Sequence, residues 1–164
     1  MTEDDAGRPL IHWPAGFTPE RADCFCHAET TVPAPPAVVF DVLTDVAAWP
    51  SWVPGVSAIT HLGGPLRTQC TFDVDMRGER FEVLVAECRP PNRVGWTAIA
   101  AEVQVYQSWL LVAARPCTRV ITEVVAVGPV AAAYRESRPS WSDNITRHWL
   151  HALGMLAEKK VRTS

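Results

Sequence analysis

Glu87 is the first side chain whose type and position could support proton-transfer chemistry. It falls in an alternating stretch, residues 79–88, where Phe81, Val83 and Val85 share its phase, so alternation predicts that its carboxylate faces the same side as these apolar residues. Burial there would suit the carboxyl group to general acid or base catalysis. The alternative is a carboxylate that reaches solvent at the rim, since carboxylates are almost never fully buried without a partner.

His148 is the second candidate for proton transfer. It lies at the edge of an apolar stripe near the C-terminus, and at about 100° per residue of a helix it borders the face that Trp149 occupies. The alternative is a half-exposed boundary histidine with no chemical role, because imidazole is commonly found at intermediate burial.

Residues 103–113 offer a hydrogen-bonding group. Their odd positions, which include Gln107 and Trp109, form the more apolar set, and we expect them to face inward. A single β-bulge would exchange the faces and bring in Tyr106 and Ser108. Tyr106 or Gln107 is therefore the predicted hydrogen-bond donor of the site.

Metal, covalent and cofactor chemistry find little support. Along an extended strand, Cys24 and Cys26 project to one face and His27 to the other, which does not favour a metal site. The five cysteines are an odd number, and we interpret them as structural thiols. We find no convincing nucleophile, glycine-rich phosphate loop or paired zinc ligands, and we expect neither a metal nor a cofactor.

The elements that would position these residues follow an unusual order. Residues 24–32 alternate as one strand. Pro35 and Pro36 suit a helix's first turn, and Pro50 and Pro54 end the helical stretch that follows. Six further strand patterns succeed one another with short connections, which predicts an antiparallel meander; they cover residues 57–62, 66–76, 79–88, 93–100, 103–113 and 119–127.

A long C-terminal helix over residues 139–161 is the element expected to cover the sheet. Its apolar stripe comprises Ile145, Trp149, Ala152, Leu153 and Leu156. A curved sheet cannot pack everywhere against one helix, so we expect an apolar cavity between them. The predicted ligand-binding side chains are Phe72, Phe81, Trp96, Gln107, Trp109 and Trp149.

Composition limits the classes of function. A chain of 164 residues with 48% apolar content suits one hydrophobic core, and we expect a tail at residues 1–21, partly docked through Ile11, Trp13 and Phe17, followed by one domain at residues 22–164. A net charge of −3 with dispersed charges argues against nucleic-acid binding. Without an apolar span or a secretion signal, we expect a cytoplasmic protein that does not insert into membranes, as a monomer or homodimer.

The chain resembles the START/Bet v 1-like superfamily, and within it the bacterial polyketide cyclase/dehydrase and lipid-transport branch. The resemblance covers roughly residues 13–160 and is carried by the opening HWPAGFTPERADCFCHAETTVPAPPAVVFDVLTDVAAWPSWVPGV and by ECRPPNRVGWTA, YQSWLL and TRVITE in that order. It implies an α+β helix-grip fold, in which a seven-stranded curved antiparallel sheet wraps a long C-terminal helix and two short helices follow the first strand.

The resemblance also implies a hydrophobic small-molecule ligand. Related sequences often place His at the position of Gln107 and an acid at that of Val124, so this chain departs from the pattern by lacking two ionisable groups. Our leading hypothesis is a cofactor-independent cyclase or dehydratase acting on a polyketide-like intermediate, with Glu87, His148 and Tyr106 as catalytic residues. The alternative is a non-catalytic carrier or sensor of a hydrophobic molecule, and a third possibility is a protein-interaction domain.

Overall fold

The computed structural model describes residues 11–137 and 141–163, in which a seven-stranded antiparallel sheet wraps around a C-terminal helix. The strands are β1 (Cys24–Val32), β2 (Val56–Thr60), β3 (Thr71–Met76), β4 (Glu79–Arg89), β5 (Arg93–Ile99), β6 (Gln104–Ala114) and β7 (Cys117–Val127). The helices are α1 (Pro36–Thr44), α2 (Trp49–Trp52), α3 (Pro129–Ser137) and α4 (Trp141–Thr163), with 3-10 turns at Pro19–Arg21 and Val46–Ala48. The predicted helix-grip fold is confirmed.

The strand order across the sheet is β1-β7-β6-β5-β4-β3-β2. Each strand from β2 to β6 pairs with its successor in the chain, as short connections require. The first strand is the exception, because it pairs with the last, from Cys24 opposite Ala126 to Val32 opposite Thr118. α1 and α2 carry the chain between the two edges of the sheet.

Prolines set the bounds of the two short helices. Pro36 occupies the first turn of α1, where the missing N–H has no partner to lose, and Pro50 has the same role in α2. The indole nitrogen of Trp49 donates a hydrogen bond to the carbonyl oxygen of Leu43 at 2.9 Å. This bond joins α1 to α2 and fixes the Trp49 ring against the sheet.

β2 and β3 are shorter than the alternation predicts, because single residues adopt left-handed backbone conformations. Gln69 has φ of +73° and lies within the turn that the hydrogen bond from Cys70 N to Arg67 O closes, so β3 begins at Thr71 rather than residue 66. His61 has φ of +61° and ends β2 at Thr60. The predicted start of the long helix at residue 139 lies outside the described residues.

α4 packs against the concave face of the sheet, chiefly at β1, and against α1. Its buried side chains include Trp149, Leu150, Leu153 and Ala157. Of the predicted apolar stripe, Trp149 and Leu153 are buried, while Ile145, Ala152 and Leu156 are half-buried. The part of α4 that follows Trp149 therefore packs aliphatic side chains against the concave face. The first turns of the helix lie over the remaining part of that face.

The convex face of the sheet has a cover of its own. Residues 11–22, called the N-terminal segment here, cross it: Ile11 is buried, and the rings of Trp13 and Phe17 lie 5.7 and 6.2 Å from the ring of Tyr106. Beyond the segment, the carboxylate of Asp23 accepts a hydrogen bond from Gly128 N at 2.8 Å. The central strands of the sheet are thus buried on both faces.

Candidate functional site

A cavity of about 230 Å³ lies between the concave face of the sheet and the first described turns of α4. Its wall is mostly apolar. The described residues that line it are Trp49, Val56, Val74, Met76, Arg77, Glu79, Phe81, Val83, Trp96, Ala98, Val103, Val105, Gln107, Val124, Ala126, Val130, Ile145, Thr146 and Trp149. Among these, Arg77 and Glu79 are the ionisable residues, and both lie at the β3–β4 turn, which forms one side of the rim.

Three tryptophan side chains from different elements form one wall of the cavity. The ring of Trp49 lies 5.3 Å from that of Trp96 and 5.5 Å from that of Trp149, and Trp96 and Trp149 stack at 6.1 Å. Such spacings allow favourable edge-to-face and stacked contacts between aromatic rings. The wall is therefore a rigid aromatic surface that a flat apolar molecule can contact.

Two of the predicted ligand-binding residues belong to the core behind this wall. Trp109 packs against Trp149 at a centroid distance of 5.3 Å, and Phe72 packs against Trp49 at 5.8 Å. Both face the concave side, as their phase predicts, but α2 and α4 already cover them. The other four predicted residues, Phe81, Trp96, Gln107 and Trp149, line the cavity.

Gln107 places a neutral amide in the cavity wall. It sits on β6 opposite Val124 of β7, and its side chain is buried. Its Nε2 donates a hydrogen bond to Thr122 Oγ1 at 3.2 Å, and Thr122 Oγ1 donates to the carbonyl oxygen of Ser108 at 2.9 Å. The odd positions of β6 face the concave side of the sheet, where Val105 and Gln107 line the cavity, and the inward phase expected for Gln107 and Trp109 is the one observed.

The predicted inward position of Glu87 is wrong, because a β-bulge interrupts the alternation of β4. Val85 pairs with Trp96 and Glu87 pairs with Gly95, so the intervening residue Ala86 has no partner. Every side chain after the bulge changes face, and Glu87 emerges on the convex side. There its Oε1 lies 3.2 Å from Nδ1 of His12 in the N-terminal segment.

Tyr106 also lies on the convex face, enclosed by the N-terminal segment. Burial raises the pKa of its phenol to about 12, the nearby carboxylate of Glu87 adds to the rise, and Arg93 opposes it. Gly95 of β5 makes room for the hydroxyl, because a Cβ at that position would lie 2.3 Å from Tyr106 Oη. Tyr106 is thus close to Glu87 and separated from the cavity by the sheet.

His148 does not join the cavity. Its side chain is exposed on α4, one residue before Trp149 and therefore about 100° around the helix from the cavity wall. The three groups predicted for catalysis, Glu87, Tyr106 and His148, are therefore distributed over the convex face and the outer surface of α4. The structure brings none of them to the described cavity.

Three polar residues of the cavity, Arg77, Glu79 and Thr146, are not among those predicted from the sequence. Arg77 takes a left-handed conformation at φ of +53°, and its side chain lies over Gly55, where an added Cβ would come within 3.0 Å of Arg77 Cγ and Nε. The Arg77-Gly78 dipeptide was a recognisable turn signal, but nothing in it shows that the turn borders a cavity. Thr146 is buried on α4, three residues before Trp149 and on the same helix face.

The described residues contain no group of three or more histidine, cysteine, aspartate or glutamate side chains that could hold a metal ion. No helix in the same part of the chain has the length and apolarity needed to span a bilayer.

Comparison with known proteins identifies the class. The model of the family described as polyketide cyclase / dehydrase and lipid transport matches residues 26–153. The chain belongs to this family and, through it, to the START/Bet v 1-like superfamily, which confirms the resemblance inferred from the sequence. No curated protein sequence matches the chain.

Solved structures share the fold at low sequence identity. The hypothetical protein jhp0584 from Helicobacter pylori superposes with a TM-score of 0.82 at 24% identity, covering 96% of this chain and 99% of that one. The Zhui aromatase/cyclase from Streptomyces sp. R1128 gives 0.69 at 18% identity, covering 84% and 94%. A START superfamily protein from Mycobacterium smegmatis gives 0.64 at 15% identity, covering 82% and 97%.

Proposed function

We propose that this protein binds a small hydrophobic molecule in its cavity and carries or senses it without changing it chemically. The observation that supports this proposal is the wall of the cavity, which is apolar and aromatic in its interior and has described ionisable groups only at its rim, Arg77 and Glu79. Apolar pockets with few polar groups are typical ligand sites. General acid–base chemistry in the interior would require a titratable group, and Glu87, Tyr106 and His148 lie elsewhere.

The size of the cavity limits the buried part of the ligand. An apolar cavity of about 150 Å³ accepts one benzene molecule. The cavity of this protein, at about 230 Å³, is larger than such a benzene site. We therefore expect the enclosed part of the ligand to be a flat unit of one or two rings lying against the tryptophan wall.

Naphthalene is a suitable neutral probe for this proposal, with binding measured by isothermal titration calorimetry. Ala98 lines the cavity from β5, so Ala98→Phe should fill the cavity and weaken binding at least tenfold. The control is Thr97→Phe, which adds bulk at the preceding residue of the strand but on the convex face, and it should leave the affinity unchanged. Absence of naphthalene binding to the wild type, or equal loss in both variants, would refute the cavity as the binding site.

Native mass spectrometry of the protein purified from its own host detects a natural ligand that remains bound. We expect a co-purifying small molecule on the wild type that is absent from Ala98→Phe. A ligand retained equally by both proteins would place the binding site outside this cavity.

A second candidate function is cyclisation or dehydration of the bound molecule. The observation that favours it is the presence of both a cation and a carboxylate at the rim: Arg77 could orient a carbonyl oxygen, and Glu79, which is half-buried, could transfer a proton. A protein of similar fold is named an aromatase/cyclase. This function would use residues other than those predicted from the sequence.

Glu79→Gln tests the second function. If the protein is a dehydratase, this variant purified from the producing host should carry a molecule heavier by one water than the wild-type ligand. Glu82→Gln, an exposed carboxylate on the same strand, is the matched control and should carry the wild-type ligand. Identical ligands on all three proteins would favour simple binding.

We further propose that the protein is cytoplasmic and acts as a monomer or homodimer. Its partner is the hydrophobic small molecule itself.

A further inference from the structure

Gln107 is a polar side chain buried in the cavity wall, with 6% of its surface exposed. Burial of an amide is unfavourable unless its polar atoms find partners. Its hydrogen bonds therefore indicate which of its atoms is left for a bound molecule.

Thr122 decides the orientation of the amide. A threonine hydroxyl has one hydrogen to donate. Thr122 Oγ1 donates this hydrogen to the carbonyl oxygen of Ser108 at 2.9 Å. In its contact with Gln107 at 3.2 Å, Thr122 Oγ1 can therefore only accept a hydrogen bond. Gln107 must therefore present its NH₂ group to Thr122, and the amide oxygen Oε1 points away from this contact.

Oε1 of Gln107 accepts no hydrogen bond from the residues that the structure describes. Within the same residues, the fully enclosed side-chain nitrogen and oxygen atoms without a partner are the indole nitrogens of Trp52, Trp109 and Trp149. Oε1 is not one of them. Since Gln107 lines the cavity, the free acceptor is open to the cavity interior.

We propose that the enclosed part of the bound molecule is uncharged and carries an O–H or N–H group that donates a hydrogen bond to Gln107 Oε1. Thr122 acts as a positioning residue, because it selects which end of the amide faces the ligand. This inference rests on the proposed binding function. The enclosed part is uncharged because the described interior of the cavity offers no opposite charge, and an unpaired ion would be costly to bury there.

Two pairs of near-isosteric probes test the polarity of the site, with affinities measured by calorimetry. Indole and indene differ by an N–H donor, and quinoline and naphthalene differ by a nitrogen acceptor. Wild-type protein should bind indole about fivefold more tightly than indene, and quinoline no more tightly than naphthalene. Gln107→Met keeps the side-chain length without the acceptor and should abolish the preference for indole while still binding indene.

Thr122→Val tests the positioning role, because it keeps the shape of the side chain and leaves Gln107 in place. Without the hydroxyl the Gln107 amide is free to turn, so the preference for indole over indene should fall. The affinity for quinoline should rise relative to that for naphthalene. Thr118→Val is the matched control: Thr118 is a buried residue of the same strand whose hydroxyl donates to Ala34 O at 2.7 Å. It should leave all four affinities in their wild-type order.

The outcomes separate this inference from the function on which it rests. If none of the four probes binds the wild type, the cavity is not a ligand site and both proposals fail. If the hydrocarbons bind but indole shows no advantage over indene, or quinoline is preferred over naphthalene, the binding function stands and the acceptor role of Gln107 is wrong. An unchanged preference in Thr122→Val would overturn the positioning role.

Discussion

The concave and convex faces of the sheet are built from the same strands but differ in chemistry. On the concave face, tryptophan and aliphatic side chains surround a cavity of about 230 Å³ with a neutral amide in its wall. On the convex face, Glu87 and Tyr106 lie beneath the N-terminal segment, and the carboxylate lies near His12. The face with titratable groups in its interior is closed by packing, and the face with the cavity has its described ionisable groups only at the rim.

This contrast shows how little distinguishes a potential catalytic group from a structural one in a strand. Val85 and Glu87 are two residues apart and would share a face in a regular strand. Because Ala86 is unpaired, Val85 points into the core beside Trp96, whereas Glu87 points to the opposite side of the sheet. Ligand binding should therefore respond to concave substitutions and be insensitive to convex ones, while stability should respond to both.

The largest effect is expected for Trp96→Ala on the concave face. The side chain is buried between Trp49, Trp109 and Trp149, so its loss should lower the free energy of unfolding by about 3–5 kcal/mol. Urea denaturation measures this change. Phe25→Ala, an exposed aromatic on the convex face, is the comparison and should cost less than about 1 kcal/mol. A loss below about 1 kcal/mol for Trp96→Ala would contradict the aromatic wall.

On the convex face, Gly95→Ala should be the most damaging small substitution. The added Cβ would meet the Tyr106 hydroxyl at 2.3 Å, which forces the ring to move and should cost about 1–3 kcal/mol. Combining it with Tyr106→Phe should restore part of the loss, because the clashing oxygen is gone. Additive effects of the two substitutions in urea denaturation would argue against the clash, and weakened naphthalene binding would argue against the separation of the faces.

Alkaline pH should destabilise the convex face selectively. Tyr106 holds its proton to about pH 12 when folded but only to its ordinary pKa of 10 when unfolded, so the stability it contributes is complete below pH 10 and is lost between pH 10 and 12. With allowance for solvent screening, we expect wild type to lose about 1–2 kcal/mol more than Tyr106→Phe over this interval. Parallel denaturation of both proteins at several pH values provides the measurement, and identical curves would refute the raised pKa.

Glu87→Gln should have the smallest effect and gives the sharpest test of the separation between faces. The partners of the carboxylate, His12 and Arg89, are both exposed, so loss of the negative charge should change stability by less than about 1 kcal/mol. Because Glu87 lies outside the cavity, the dissociation constant of naphthalene should not change. A tenfold weakening of binding would show that the two faces are coupled.

The order of elements was predictable from the sequence because prolines, turns and alternating runs are local signals. The inward phase of β6 was also predictable, since the apolar content of its odd positions decides which face meets the core. The position of Glu87 was not. The stretch from Leu84 to Glu87 has no glycine or proline to mark the bulge, and the extra residue is accommodated through pairing with β5, a contact remote in sequence.

The cavity lining was predictable only in part, for a different physical reason. Alternation assigns a side chain to a face, but what lies opposite decides whether it borders a cavity or fills the core. Phe72 and Trp109 face the concave side yet pack against Trp49 and Trp149, whereas Arg77 reaches the rim from a turn. Such distinctions depend on where the helices are placed over the sheet, which strand periodicity does not encode.

The pairing of β1 with β7 has a consequence for how the chain folds. Cys24 meets Ala126 across about a hundred residues of intervening sequence, and Trp13 meets Tyr106 over a similar separation. During synthesis the earliest part of the described chain must therefore wait for the last strands to leave the ribosome. Folding dominated by such distant contacts is slow. The aromatic rings of the N-terminal segment are thus exposed longest in the nascent chain, where they are natural points of contact for chaperones.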